Sequence, residues 1–237
     1  MGKNKLARWN ELETFNNVFQ PEIGAVAGKD HPVKGRWKNE IFANLNPVVL
    51  ELGCGKGEYT IGLATRFPGN NYIGIDIKGA RMWRGAKTAN EHQLSNVAFL
   101  RTRIEFINSF FVENEVDEIW ITFPDPHIGL RNSNKRLTSP AFLNRYRLFL
   151  KDKGLVHLKT DNTELYNYSR KVVLHNELEI VNSTTDLYAE NFSDDILAIK
   201  THYEKIFIKA GLKINYLSFR LAKEKILEDA TLKTKGS

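Results

Sequence analysis

From Pro47 onward, short apolar runs alternate with stretches of helical spacing. Val48–Leu52 is an apolar run closed by glycines, the mark of a strand buried on both faces of a parallel sheet. Glu58–Phe67 reads as a helix stopped by Pro68-Gly69, Tyr72–Asp76 as a second strand and Ala80–Leu94 as a second helix. Val97–Leu100 follows as a strand, with a helical segment near 105–113. Glu118–Phe123 is a fourth strand ended by Pro124-Asp125-Pro126, and 137–150 reads as helix. Gly154–Lys159 gives a fifth strand, before Thr160-Asp161-Asn162 and a helix over 164–174. Two strand-like segments come late, 177–183 and 213–221, separated by a helical stretch over 198–210 that Gly211 stops.

Strands alternating with helices imply βαβ units and a sheet covered on both faces. The pattern predicts a doubly wound, mostly parallel seven-stranded α/β sheet of Rossmann-like form; two late strands after five βα units resemble the known variant of that fold whose last strand runs antiparallel. Residues 47–222 form that domain. Residues 1–46 mix Lys, Arg, aromatics and turn residues without a period, and read as a basic arm or irregular cap. Residues 223–237 are charged and weakly periodic, which predicts a flexible tail.

Composition adds less. In 237 residues, 42% hydrophobic and 26% charged positions are ordinary for a globular protein. The single cysteine, Cys54, excludes an internal disulfide framework and fits a reducing compartment. No apolar run approaches the roughly 20 residues of a membrane span, and no apolar stretch follows the basic start, so the expected location is cytoplasmic, with no membrane partner. The formal charge of +6 leans towards a polyanionic partner without establishing one. Six histidines show no metal-ligand spacing, and no metal is expected. Nothing in the pattern separates a monomer from a homodimer.

The most informative segment is Glu51-Leu-Gly53-Cys-Gly55-Lys-Gly57. Glycines at a strand end allow a tight turn and close approach of backbone to a nucleotide-like ligand. The spacing is G-x-G-x-G, with a carboxylate two positions before the first glycine. That carboxylate repels a pyrophosphate but suits an ammonium and a sulfonium, which favours S-adenosylmethionine over a nicotinamide cofactor. Asp76, ending the next strand, is of the type that accepts hydrogen bonds from ribose hydroxyls. Cys54 is read as a small packing residue, and Trp120 as core.

With Phe123-Pro-Asp125-Pro the pattern resembles the bacterial tRNA (guanine-N7-)-methyltransferases, class I S-adenosylmethionine-dependent enzymes. The resemblance rests on the glycine loop, this turn, the basic stretch 131–136, Lys159-Thr-Asp161-Asn162 and Thr201-His-Tyr-Glu204, in that order over 48–221. It implies methyl transfer from S-adenosylmethionine to N7 of a tRNA guanosine, at position 46 in the variable loop. Carried over by position, Glu51, Gly53, Gly55, Gly57, Asp76, Arg103 and Asp125 hold the cofactor, and Asp125 is the catalytic carboxylate. Asp161, Thr201, His202, Tyr203 and Glu204 contact the guanosine. Arg131, Asn132, Ser133, Asn134, Lys135 and Arg136 meet the RNA. Two positions depart: family members carry Trp and soon after it Lys following P-D-P, where this chain has His127-Ile128-Gly129, and many carry Asp where it has Arg103.

Without the resemblance, the residues leave other readings open. Tyr203 and Glu204 also fit an amphipathic helix at the edge of the core. Lys3, Lys5, Arg8, Lys34, Arg36 and Lys38, with Trp9 and Trp37 among them, fit a solvated arm as well as an RNA surface. A methyltransferase of another substrate shares the cofactor half, and a non-catalytic RNA-binding subunit shares the basic half. Transfer to tRNA separates the first from the expected enzyme, and cofactor binding separates the second.

Overall fold

The computed structural model describes residues 2–189 and 196–229, with the side chains of 2–5 and 130–131 outside that description. Eight strands build one sheet: β1 (Val18–Phe19), β2 (Val48–Leu52), β3 (Asn71–Asp76), β4 (Val97–Arg101), β5 (Val116–Thr122), β6 (Leu150–Thr160), β7 (Ile180–Thr184) and β8 (Asn215–Leu221). Their order is β1-β4-β3-β2-β5-β6-β8-β7, and β8 alone runs antiparallel to its neighbours. The helices are α1 (Gly2–Leu12), α2 (Ile23–Val26), α3 (Glu58–Arg66), α4 (Gly79–Glu91), α5 (Pro140–Tyr146), α6 (Thr163–His175) and α7 (His202–Lys209).

Period-2 alternation divides the strand side chains between two apolar layers. Val48, Leu50 and Leu52 face a layer completed by α5 and α6, together with Trp37. Val49 and Trp120 face the other, where α1, α3 and α4 pack. The order reverses between β2 and β5, which start two halves of the sheet running in opposite directions. In such sheets the crevice at the carboxyl ends of the strands beside the reversal is where ligands bind.

The sheet has eight strands rather than seven. The extra one, β1, is a two-residue edge pairing Val18 with Phe99 and Phe19 with Leu100, too short for a period of two to show. The segment between β1 and β2 contributes Trp37, fully buried, whose Nε1 donates to the Phe110 carbonyl at 2.8 Å. Trp37 is therefore core and not part of a basic surface. The helix expected near 105–113 is a single stretch of 3-10 helix, Ile104–Ser109. That expected over 137–150 shortens to α5, with Pro140 in its first turn, because residues from Leu150 pair in β6.

The segment after β8 is anchored as far as it is described. Asn144 pairs its side-chain amide with the backbone of Leu227, and Asn176 does the same with Glu228. Leu227 is buried in the core layer. The remainder of the expected tail, 230–237, lies outside the described residues. Among the described residues no helix is long and apolar enough to cross a membrane.

Candidate active site

A cleft of about 750 Å³ opens at the carboxyl ends of β2, β3, β4 and β5. Its lining includes Glu51, Gly53, Gly55, Asp76, Arg103, Asp125, Lys135, Thr201 and Tyr203. Residues read from six separate stretches of sequence thus meet around one space.

The glycine loop turns between β2 and α3 through three left-handed residues, Gly53 (φ 77°), Gly55 (φ 55°) and Gly57 (φ 71°). Around Gly53 no atom lies within 4 Å of where a Cβ would stand, so its backbone is open to a ligand. Gly57 differs. A Cβ there would lie 2.6 Å from the Phe99 ring and 3.2 Å from Gly85, so this glycine permits α3 to pack on the sheet and does not line the cleft.

Glu51 points into the floor and is only 3% exposed. Its Oε2 accepts hydrogen bonds from the Thr60 amide at 2.8 Å and the Thr60 hydroxyl, and Oε1 accepts from the Thr122 hydroxyl at 2.7 Å. Burial pushes the carboxyl up to about 7 despite those bonds, with Asp76 adding a further rise. Asp76 accepts from the Gly55 amide at 2.9 Å and the Lys78 amide at 2.7 Å, which ties the glycine loop to the end of β3. A buried acid beside open glycine backbone and a hydrogen-bonded carboxylate suits a ligand with an ammonium at one end and ribose hydroxyls at the other. Cys54 is buried, and its thiol is held well above its usual range by that burial, so it is inert.

Asp125 lines the same cleft and is exposed. It follows β5 in a turn where Phe123 (φ 48°) and His127 (φ 44°) both adopt left-handed backbone, at a cost of about 1–3 kcal/mol each. The His127 amide donates to its Oδ1 at 3.3 Å. Arg103 lines the cleft, yet its guanidinium turns to Glu105 at 3.0 Å.

The segment Thr201–Glu204 divides. Thr201 caps α7 and lines the cleft, and Tyr203 lines it with 45% exposure. His202 donates its amide to Glu58 at 2.6 Å, joining the start of α7 to the start of α3. Glu204 is fully buried. Its Oε1 lies 2.8 Å from Lys159 Nζ, itself fully buried, and accepts from the Tyr188 hydroxyl at 2.5 Å. Its Oε2 accepts from the Thr201 amide, completing a capping box. Its carboxylate is thus turned away from the cleft. Asp161, half-buried just past β6, does not line the cleft, and burial raises its carboxyl above the usual range.

The basic stretch divides likewise. Residues 130–135 form a turn of 3-10 helix in which Asn134 and Lys135 are exposed, Asn132 is half-buried and Ser133 is buried. Arg136 is only 3% exposed. The side chain of Arg131 lies outside the described residues. Sequence patterns missed Thr60, Thr122 and Lys159, whose roles come from partners 9 to 71 positions away in the chain. They also missed Lys78 and Arg81, cationic lining of the cleft from the β3–α4 junction. Among the described residues no group of three or more His, Cys, Asp or Glu is arranged to hold a metal ion.

The strand order and the cleft at its reversal define a class I methyltransferase fold. Among solved structures, a 16S rRNA methyltransferase, KamB, superposes with a TM-score of 0.60 at 13% identity, covering 78% of this chain and 92% of that one. TrmN from Thermus thermophilus gives 0.52 at 20% identity, covering 74% and 44%. A family model described as "Putative methyltransferase" matches residues 45–217. The tRNA (guanine-N(7)-)-methyltransferase of Bacteroides thetaiotaomicron is 47% identical over 229 residues, covering 97% of this chain and 90% of that protein. That of Porphyromonas gingivalis is 49% identical, covering 89% and 86%. The chain belongs to the tRNA (guanine-N(7)-)-methyltransferase family.

Proposed function

We propose that this protein is a cytoplasmic enzyme that methylates N7 of a tRNA guanosine, at position 46 of the variable loop, using S-adenosylmethionine. The observation that carries the reading is the cleft itself, lined at once by the buried acid Glu51, by Asp76 and by the exposed Asp125. The relatives' names supply the substrate.

When bound, S-adenosylmethionine supplies a sulfonium methyl: the N7 lone pair forms the C–N bond, the C–S electron pair stays on sulfur, and the positive charge moves to the purine. Guanine N7 carries no proton, so no side chain has to act as a general base. Glu51 would hold the cofactor's ammonium and Asp76 its ribose hydroxyls, with the backbone of Gly53 and Gly55 free to approach it. Asp125 stabilises the charge developing on the purine. Thr201 and Tyr203, which line the cleft, hold the base. Alignment of this kind contributes about 7–11 kcal/mol of barrier reduction.

Methylation of unmodified tRNA by the purified protein, with the product nucleoside identified and mapped, tests the reading. A 7-methylguanosine in the variable loop is expected. Transfer only to a metabolite or protein pool, or no cofactor binding at all, overturns it.

Two further results follow from the residues. An acid raised to about 7 is neutral below that pH and charged above it, and an ammonium needs the charged form. Cofactor affinity should therefore be full above about pH 7 and fall as pH drops through it, roughly tenfold between pH 8 and pH 6. Equilibrium dialysis across that range checks this; Glu51→Gln should bind weakly and without the pH dependence. Lys135, exposed at the cleft rim, is assigned a phosphate contact. Lys135→Ala should weaken tRNA binding and reduce the salt slope by about one unit, and an unchanged slope removes the assignment.

A further inference from the structure

We infer that Arg136 is a positioning residue for the Asp125 turn and not a contact to RNA. The inference rests on the proposed role of Asp125.

Its side chain is enclosed, with the guanidinium carbon 4.4 Å from the centre of the Tyr168 ring. From there Nε donates to the Pro126 carbonyl at 3.1 Å and the His127 carbonyl at 3.3 Å, and Nη2 meets Glu164 at 2.6 Å. One rigid fork thus ties the turn that carries Asp125 to the first turn of α6. A guanidinium that is only 3% exposed and already bonded through Nε and Nη2 is not presented to a phosphate on the surface.

The turn has a physical need for such a tie. Phe123 and His127 bracket Asp125 and both sit in left-handed backbone without being glycine. A strained turn persists only when its surroundings hold it, and relaxation would swing the carboxylate off the purine. Arg136 grips the two carbonyls just beyond Asp125, where such a relaxation would have to begin. The His127 amide, which holds Asp125 Oδ1, belongs to the same restrained unit.

Arg136→Lys separates the two roles because it keeps the charge and loses the fork. As a phosphate contact it should be tolerated. As a clamp it should fail, since a single ammonium cannot bridge two carbonyls and Glu164 at once. The expected result is a single-turnover methyl-transfer rate lowered at least tenfold, towards the roughly 100-fold that a 1 Å misplacement costs. The cofactor Kd, the tRNA Kd and the salt slope of the latter should stay within about twofold of wild type. Glu164→Gln, at an exposed position, should lower the same rate a few-fold, and serves if the lysine variant melts too early to assay.

Hydrogen exchange at the Phe123, Asp125 and His127 amides provides a readout that does not depend on the reaction. It should quicken in both variants even if tRNA proves not to be the substrate, so failure of the functional reading and failure of the clamp are told apart. Wild-type transfer and unchanged exchange in Arg136→Lys overturn the inference. So does an Arg136→Gln loss that appears wholly as weaker tRNA binding with a flatter salt slope.

Discussion

Asp125→Ala is expected to lower the single-turnover rate of methyl transfer to tRNA by roughly 10²–10³-fold, the range found when one preorganised electrostatic group is removed from a reacting centre. The side chain is exposed, and among the described residues its one hydrogen bond is the local bond from the His127 amide, so stability should change by no more than about 0.5 kcal/mol. Cofactor affinity should move far less than the rate, since the hydrogen bonds that hold Glu51 and Asp76 do not involve Asp125 and are kept. Asp125→Asn sharpens the test. It preserves the shape and the Asx-type bond to His127 but removes the charge, so if charge stabilisation is the role it should be nearly as slow as the alanine variant. Transfer at the wild-type rate by Asp125→Ala under saturating cofactor and tRNA removes the assignment.

The second large effect concerns Lys159 and Glu204. Both are fully shielded from water, 2.8 Å apart, and Lys159 also approaches the carbonyls of Leu197 and Ile199 at 3.4 and 3.3 Å. Burial lowers the Lys159 ammonium from its usual range, and the adjacent carboxylate opposes that shift. Removing one member of such a pair strands the other, at a cost of roughly 3–5 kcal/mol. Glu204→Ala should therefore melt roughly 6–20 °C below wild type, taking about 2–4 °C per kcal/mol for a chain of this length. Replacing both, as Lys159→Met with Glu204→Leu, should restore most of the stability, because no charge is then left unpaired. It should not restore transfer. The pair holds the segment 197–204 against the end of β6, and Thr201 and Tyr203 reach the cleft from that segment. Calorimetry on the single and double variants, read as a cycle, tests both halves. A Glu204→Ala melting point within about 2 °C of wild type contradicts the buried-pair account.

The behaviour of Glu204 shows where the sequence stops being legible. Its motif placed it against the substrate, whereas helical spacing alone also allowed a place at the edge of the core. The structure puts it inside, although the adjacent Tyr203 is exposed. Arg136 is a similar case, since it ends a basic stretch and yet faces inward onto Tyr168. A charged residue in a run of charged residues carries no local sign of burial. Its partner decides, and here the partners are 45 and 28 positions distant. Gly57 shared a motif with Gly53 and Gly55, but Phe99, a residue of another strand, makes it a packing glycine.

By itself the sequence determined the alternating strands and helices, the glycine turn with its two acids, and the order of the motifs. These are set by local properties: apolar periodicity, backbone freedom at glycine and proline, and the chemical type of a side chain at a strand end. Tertiary structure alone decided that Val18–Phe19 pairs at the sheet edge, that Trp37 fills the core, and which charged groups of each motif reach the cleft. The physical reason is that desolvation and pairing depend on neighbours brought together only when the sheet closes, and a charge is cheap to bury only where such a neighbour waits for it.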